Sequence, residues 1–163
     1  MSEQPLLVTG AAGFIGFHVT KALLKAGHSV VGVDSLNDHY DPALKRTRLD
    51  ALLSHSSDGR FEFSYLDLAD RETCDDLFAR IRPSHVIHLA ARANARHSLT
   101  QPNAYTADNI EAFLNVLEGC RAHPVKHLIY ASSSSVYGGN SKAPFHEDDP
   151  VCDPQSLYGV TKR

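Results

Sequence analysis

The chain has 163 residues, of which 42% are hydrophobic and 21% are charged, values typical of one globular domain with a packed core. Its formal net charge of −3 gives no electrostatic reason to expect nucleic acid or an anionic membrane as a partner. The sequence shows no apolar run of bilayer-spanning length, and "MSEQPLLVTGAAG" lacks the basic and apolar regions of a secretory signal.

The cysteines and histidines favour a cytoplasmic protein without a structural metal. Cys74, Cys120 and Cys152 are odd in number and far apart, which predicts reduced thiols. No C-x-x-C pair accompanies the ten histidines, so we expect no metal site.

Short apolar runs alternate with stretches of helical periodicity along the chain. Strands are predicted over residues 6–10, 29–34, 61–68, 85–91 and 127–135. Helices are predicted over residues 14–27, 41–54, 70–82 and 103–123, with a last helix starting at Asp153 and Pro154. Repeated strand–helix–strand units predict an α/β fold, a doubly wound parallel (Rossmann) sheet of about five strands, as one domain over residues 1–163.

The first strand leads into a glycine-rich loop, "VTGAAGFIG", that opens the first helix. Gly10 permits a tight turn, Gly13 lets the backbone approach a pyrophosphate, and Gly16 lets the helix pack closely on the sheet. The unpaired N–H groups and positive dipole at such a helix start favour phosphate. This context predicts dinucleotide binding, the alternative being a strand–helix turn without a ligand.

Asp34 ends the second strand at the spacing expected for the group that binds the adenosine ribose. Its carboxylate would accept both ribose hydroxyl protons and repel a 2′-phosphate, which favours NAD over NADP. The alternative is that Asp34 merely starts a turn, and Arg46 and Arg48 are a reservation because a folded-back loop would bring them near a 2′-phosphate. Asp67 follows the third strand and is predicted either to meet adenine or simply to enter the next helix.

Hydroxyl-bearing residues follow the fifth strand in "YASSSSVYGG", and "SLYGVTKR" places Tyr158 and Lys162 four residues apart on one helix face. A nearby ammonium favours tyrosinate, which turns a tyrosine into a base able to take a proton from an alcohol. Alone, Y-x-x-x-K is a common chance pair. Its order after the glycine loop, Asp34 and the serine cluster makes it meaningful.

These motifs resemble the extended short-chain dehydrogenases/reductases, in the NAD-dependent epimerase/dehydratase group. The markers are "TGAAGFIG", "HLAA", "SSSSVYG" and "YGVTK". Within the group, "DSLNDHYDPALKRTRLDAL" and "HLAARANARHS" are most similar to the UDP-glucuronate 4-epimerases. The matches together run from Leu7 to Lys162.

The resemblance implies a set of cofactor and substrate contacts. Those implied for NAD, in addition to the three glycines and Asp34, are Phe14, Ile15, Ser35, Asn37, Asp67, Leu68, Leu89, Ala90, Ala91, Arg92, Asn109, Tyr158 and Lys162. Those implied for a UDP-sugar are Arg96, Ser98, Ser133, Ser134 and Ser135.

The implied catalytic residues are Ser133, Tyr158 and Lys162, with Ser135 as a second candidate for the serine. Related 4,6-dehydratases carry an Asp-Glu pair where this chain has Ser134 and Ser135. Neither serine can act as a carboxylate acid or base, so dehydration is disfavoured.

Members of the family also have a second half that supplies further strands and most of the sugar pocket. We therefore expect this chain to be the cofactor-binding part of an epimerase, truncated before the substrate region and with little activity alone. The alternatives are a non-catalytic NAD-binding module, a fragment completed by another chain, or an epimerase of UDP-glucose or a UDP-N-acetylhexosamine. The resemblance also makes a homodimer possible for the full-length protein.

Overall fold

The computed structural model describes residues 4–56 and 59–163, which form one parallel sheet of five strands with helices on both faces. The strands are β1 (Leu6–Thr9), β2 (Val30–Asp34), β3 (Phe61–Tyr65), β4 (His85–His88) and β5 (His127–Tyr130). The helices are α1 (Phe14–Lys25), α2 (Pro42–His55), α3 (Arg71–Ile81), α4 (Ala95–Ser98), α5 (Pro102–Thr106), α6 (Ala112–Ala122) and α7 (Leu157–Thr161). No helix within these described ranges has the length and apolar composition to cross a membrane.

The spatial order of the strands is β3-β2-β1-β4-β5, and every neighbouring pair is parallel. The chain first builds outward from β1 to β3 and then returns to the other side of β1 through β4. The carboxyl ends of β1 and β4 therefore mark the point where the winding reverses, which is where ligands bind in open sheets of this kind. The predicted doubly wound fold is confirmed.

Alternating residues of β1 feed two separate cores, one on each face of the sheet. Leu7 is fully buried with Phe78 of α3 and Val116 of α6. Val8 points to the opposite face, where it is fully buried in the cluster that contains Leu52 of α2. Because both faces are covered at the centre of the sheet, β1 and β2 read as nearly continuous apolar runs.

Two of the predicted helix starts are confirmed. The Asp41 carboxylate accepts a hydrogen bond from Ala43 N at 2.8 Å, and Pro42 occupies the first turn of α2. The Asp70 carboxylate accepts from Thr73 N at 3.3 Å at the start of α3. In each case a short carboxylate side chain satisfies an N–H group that the helix itself leaves unpaired.

Four strands are shorter than predicted at their carboxyl ends, whereas β2 ends at Asp34 as predicted. The cause is visible after β5, where serine side chains turn the backbone out of the sheet. The fifth strand ends at Tyr130 and not at Ser135. Ser133 Oγ instead accepts from Ser135 N at 3.2 Å and starts a 3-10 turn over Ser134–Tyr137. Serine side chains that bond to nearby backbone compete in this way with the strand ladder.

The last helix also differs from the prediction, since it begins at Leu157 and has five residues. Ser156, and not Asp153, caps it by accepting from Gly159 N at 3.0 Å. The Asp153 backbone is held elsewhere, because its carbonyl packs so closely on Gly138 that a Cβ there would lie 1.6 Å away. At the other end of α7, Lys162 is the C-cap residue.

The long helix predicted over residues 103–123 is interrupted by a π-helical turn, Ala107–Glu111, between α5 and α6. Such turns change which side chains face the neighbouring elements. The turn buries Asn109, which is 5% exposed. The short helix α4 before it was not predicted, and its start is capped by the Asn94 carboxamide.

Candidate functional site: a dinucleotide cleft at the strand ends

The glycine loop joins β1 to α1 beside the exit of β4. Gly10 has φ of +69°, and a Cβ on it would lie 2.8 Å from Ala90 N. A Cβ on Gly16 would lie 2.0 Å from the Gly10 carbonyl oxygen. Both positions thus require glycine, one for its conformation and one for its lack of volume. Gly13 stands between them as the first residue before α1.

A cleft opens at this edge of the sheet, between the carboxyl ends of β1 to β4. The structure brings together in its lining eleven of the residues predicted to contact NAD: Gly10, Gly13, Asp34, Ser35, Asn37, Asp67, Leu68, Leu89, Ala90, Ala91 and Arg92. Six further residues line it that sequence reasoning missed: His39, Tyr40, Lys45, Leu66, Asp108 and Ala112. His39, Tyr40 and Lys45 lie in or after the loop that follows Asp34, and nothing in their spacing singles them out.

Asp34 lies at the end of β2 with only 7% of its surface exposed. Its Oδ1 accepts from Leu36 N at 2.8 Å and its Oδ2 accepts from Ala12 N at 3.2 Å. These bonds aim the carboxylate along the glycine loop and fix its orientation in the cleft wall. Asp34 also starts a turn through Leu36, as its alternative role predicted, and it lines the cleft, where its contact with the adenosine ribose stays a prediction.

Lys45 is buried beside Asp34, with 5% of its surface exposed. Its Nζ lies 3.4 Å from Asp34 Oδ1 and donates to Asn37 Oδ1 at 2.8 Å. A buried charge needs such partners. Lys45 in turn holds the side chains of Asp34 and Asn37 in place in the cleft wall. Arg48 is near the glycine loop as well, where its guanidinium donates to Tyr40 Oη at 3.1 Å. Arg46 is exposed on the outer side of α2.

The opposite wall is a network centred on Arg92, just after β4. The Arg92 Nε donates to Asp108 Oδ2 at 2.7 Å, and its NH1 lies 3.0 Å from His39 Nδ1. Burial, together with the Arg92 charge, lowers the pKa of His39 below its usual value. A neutral His39 can accept from Arg92 through Nδ1 while Nε2 donates to the Ala93 carbonyl at 3.2 Å. The loop after β2 is thereby tied across the cleft to the exit of β4.

Five predicted cofactor contacts lie outside the cleft lining, in addition to the buried Gly16. Phe14 and Ile15 are 65% and 61% exposed at the start of α1. Tyr158 and Lys162 lie on or beside α7. Asn109 reaches the edge of the site, where its carboxamide accepts from Arg92 N at 2.7 Å and donates to Thr161 Oγ1 at 2.9 Å. Asp67, which does line the cleft, also accepts from Ala69 N at 2.9 Å as a helix-entry residue does.

The serine cluster and α7 lie together beyond β4 and β5. Lys162 Nζ donates to the Ala131 carbonyl at 3.2 Å, and the Lys162 carbonyl accepts from Ser132 Oγ at 2.8 Å. Burial lowers the pKa of Lys162. Ser133 sits two residues after Ala131, so the structure brings the predicted serine and lysine to one place.

Tyr158 is half-buried on the first turn of α7, close to α4 and α5. Its backbone N–H donates to Ser98 Oγ at 3.1 Å, and its ring meets the Tyr105 ring edge-on at 6.3 Å. Ser98 is 1% exposed, whereas Arg96 on the same short helix is exposed. The structure therefore places Arg96 on the surface and Ser98 beneath the tyrosine.

The cleft suits a dinucleotide on its own chemistry. Its glycine loop is packed too closely to accept side chains at Gly10 and Gly16. One wall of the cleft holds the oriented carboxylate of Asp34. Among the described residues there is no group of three or more His, Cys, Asp and Glu side chains arranged to hold a metal ion.

Comparison with known proteins gives consistent matches over nearly the whole chain. Residues 6–163 match the model of the NAD dependent epimerase/dehydratase family. UDP-glucuronate 4-epimerase 4 of Arabidopsis thaliana is 47% identical over 159 residues, which are 97% of this chain and 36% of the plant protein.

Solved structures match in the same way. A mutant of the UDP-glucuronic acid 4-epimerase of Bacillus cereus, in complex with UDP-4-deoxy-4-fluoro-glucuronic acid and NAD, is 36% identical with a TM-score of 0.85; the match covers 97% of this chain and 48% of that one. The UDP-Glc/GlcNAc 4-epimerase of Campylobacter jejuni is 26% identical with a TM-score of 0.88, covering 98% and 46%. The chain spans less than half the length of these proteins.

Proposed function

Because the chain belongs to the NAD dependent epimerase/dehydratase family, we propose that it binds NAD in the cleft at the ends of β1 to β4. The observation that carries this proposal is that the glycine loop, Asp34 and Arg92 line one cleft whose groups suit the pyrophosphate and the adenosine ribose of a dinucleotide. Gly10 and Gly13 would admit the pyrophosphate, and Asp34 would accept the ribose hydroxyl protons. This carboxylate disfavours the 2′-phosphate of NADP.

We further propose that the protein of which this chain forms a part is a UDP-sugar 4-epimerase, with UDP-glucuronate and UDP-galacturonate as its substrates. NAD, when bound, supplies the reversible hydride acceptor. Tyr158 would take the proton from the sugar 4-hydroxyl, and Ser133 would hydrogen-bond to the same oxygen. The 4-keto sugar would turn in the site before reduction on its other face.

Lys162 supports this role for Tyr158 through its position. Its ammonium is held by the Ala131 carbonyl beside the serine cluster, and burial lowers its pKa. Ser134 and Ser135 carry no carboxylate for dehydration, which favours epimerisation within the family.

A non-catalytic NAD-binding module is the second candidate. It is favoured by the contrast between the buried Asp34 in the cleft wall and the half-buried Tyr158. On the same ground we propose that residues 1–163 alone have little epimerase activity. Epimerisation of UDP-glucose or a UDP-N-acetylhexosamine is the alternative substrate choice, given the similarity to the Campylobacter jejuni enzyme.

Calorimetry and a turnover assay test these proposals separately. Titration of the folded chain with NAD should give a measurable heat, with weaker heat for NADP, and absence of heat while circular dichroism shows a folded protein would refute NAD binding. Turnover is followed by separating UDP-glucuronate from UDP-galacturonate, with Tyr158→Phe as the inactive control. Rapid interconversion by residues 1–163 would refute the proposed low activity of the chain alone.

A further inference from the structure

Ser98, the last residue of α4, is buried under the helix that carries Tyr158. It is 1% exposed, its Oγ donates to the Ala95 carbonyl at 2.6 Å, and the same oxygen accepts from Tyr158 N at 3.1 Å. We infer that Ser98 is a positioning residue that sets Tyr158 relative to the cofactor cleft, and not a substrate contact. This inference rests on the proposed function of Tyr158.

The bond to Ser98 matters because α7 is too short to hold itself. A helix of five residues is not stable in isolation, and its first N–H groups have no partner within the helix. Ser156 Oγ accepts from Gly159 N at 3.0 Å, but it precedes the helix on the same chain and cannot fix where the helix lies. Ser98 accepts from Tyr158 N across 60 positions of sequence, so its bond orients the first turn against another element.

The other end of α7 is fixed by the same stretch of chain. Asn109, in the π-helical turn, donates to Thr161 Oγ1 at 2.9 Å, while Thr161 Oγ1 donates to the Tyr158 carbonyl at 2.9 Å. Asn109 also accepts from Arg92 N and donates to the Arg92 carbonyl at 3.0 Å. Within residues 92–109, Arg92 therefore lines the cleft, and Ser98 and Asn109 hold the beginning and the end of α7.

A substrate role for Ser98 is incompatible with this surrounding. Its hydroxyl proton is already donated to Ala95, and its buried oxygen faces the backbone of Tyr158. A sugar hydroxyl would have to displace that backbone N–H, leaving a polar group of α7 without a partner. The Ser98 oxygen thus acts on the reaction through the placement of the tyrosine.

Amide hydrogen exchange of the full 163-residue chain tests the inference directly. Ser98→Ala should speed exchange of the Tyr158 amide about tenfold, since losing an oxygen that serves a first-turn N–H weakens a helix start by that order. Ser98→Cys keeps the side-chain volume with a weaker acceptor and should give an intermediate rate. Thr100→Val is the matched control, because Thr100 is exposed and its hydroxyl donates to the His97 carbonyl, away from α7.

Cofactor affinity supplies a readout that general loosening of the fold would not reproduce. Ser98→Ala should weaken NAD binding about fivefold, because α7 would no longer present Lys162 to the nicotinamide half, and leave ADP binding unchanged within about twofold. An unchanged Tyr158 exchange rate overturns the inference, as does equal weakening of NAD and ADP. If the unmodified chain does not bind NAD, the proposed function fails, and the exchange rates of the Ala and Cys variants still decide the placement by Ser98.

Discussion

β2 is buried at all five of its positions, whereas three of the four residues of β5 are exposed. The two strands lie on opposite sides of β1 and lead to the two halves of the proposed site. Asp34 follows a strand that the core holds in place. The serine cluster follows an edge strand, with Ile129 and Tyr130 each about half exposed. The strand that ends in Asp34 is therefore held by packing, whereas α7, which carries Tyr158, is held by hydrogen bonds from Ser98 and Asn109.

Gly16→Ala tests the packed half most severely. An added Cβ would lie 2.0 Å from the Gly10 carbonyl oxygen, so the loop or the helix must move. We expect the free energy of unfolding, measured in urea, to fall by about 3 kcal/mol, with loss of NAD binding. Gly59→Ala is the control. It has the same left-handed backbone penalty as any Ala at φ of +76°, about 1 kcal/mol, but no atom within 4 Å of the new Cβ. Equal losses for both variants would contradict the close packing.

His88, the last residue of β4, predicts a pH dependence. Burial, with a smaller contribution from the Lys162 charge, lowers the pKa of His88 to about 4 from 6.5. The unfolded state therefore binds more protons between these values, and stability falls as the pH drops from about 6.5 to about 4. A difference of about 2.5 between the two pKa values corresponds to about 3 kcal/mol.

The measurement is urea unfolding across this pH range for the wild type and His88→Asn. Asn keeps an acceptor where His88 Nδ1 lies 2.9 Å from Thr9 Oγ1, but it does not titrate. Carboxylate titrations are common to both proteins and cancel in the comparison. Parallel pH profiles would show that His88 is not the group responsible.

Asp34→Asn sharpens the functional side of the comparison. The amide keeps the shape but removes the charge that would accept both ribose hydroxyl protons. We expect calorimetry to show NAD binding weakened about tenfold, or about 1.4 kcal/mol, and a smaller preference over NADP. Asp41→Asn is the matched control, since Asn caps helices as well as Asp does and residue 41 lies outside the cleft lining. A tenfold loss in the control, or none in Asp34→Asn, would remove Asp34 from the ribose site.

Thr161→Val should have the smallest effect, confined to the hydrogen-bonded half. It removes the acceptor of Asn109 Nδ2 and the donor to the Tyr158 carbonyl. We expect about 1 kcal/mol less protection of the Lys162 amide, which bonds to the Gly159 carbonyl, with global unfolding unchanged. Thr106→Val, whose exposed hydroxyl donates to Pro102, should leave that amide unaffected. A global loss of stability would mean that α7 is part of the core after all.

What the sequence determined by itself is the sheet and its cofactor edge. Apolar runs, the caps at Asp41 and Asp70 and the glycine loop are local signals, and they predicted the doubly wound parallel sheet and two helix starts. Most of the cleft lining was implied by the resemblance to the epimerase/dehydratase family. The same locality explains the errors. The serines after β5 were predicted to continue the strand, but Ser133 bonds to the backbone of its own loop. The last helix was predicted to begin at Asp153, but the Asp153 backbone packs against Gly138, which is distant in sequence.

The tertiary structure alone decided the rest. Lys45 and His39 enter the cleft wall through partners brought near by folding, and a π-helical turn aims Asn109 at both Arg92 and Thr161. The resemblance implied a sugar contact at Ser98, whereas our inference that Ser98 supports Tyr158 comes from a hydrogen bond that forms only in the folded chain. Hydrogen bonds between elements depend on distance in space, and a residue's type and local pattern carry no record of it.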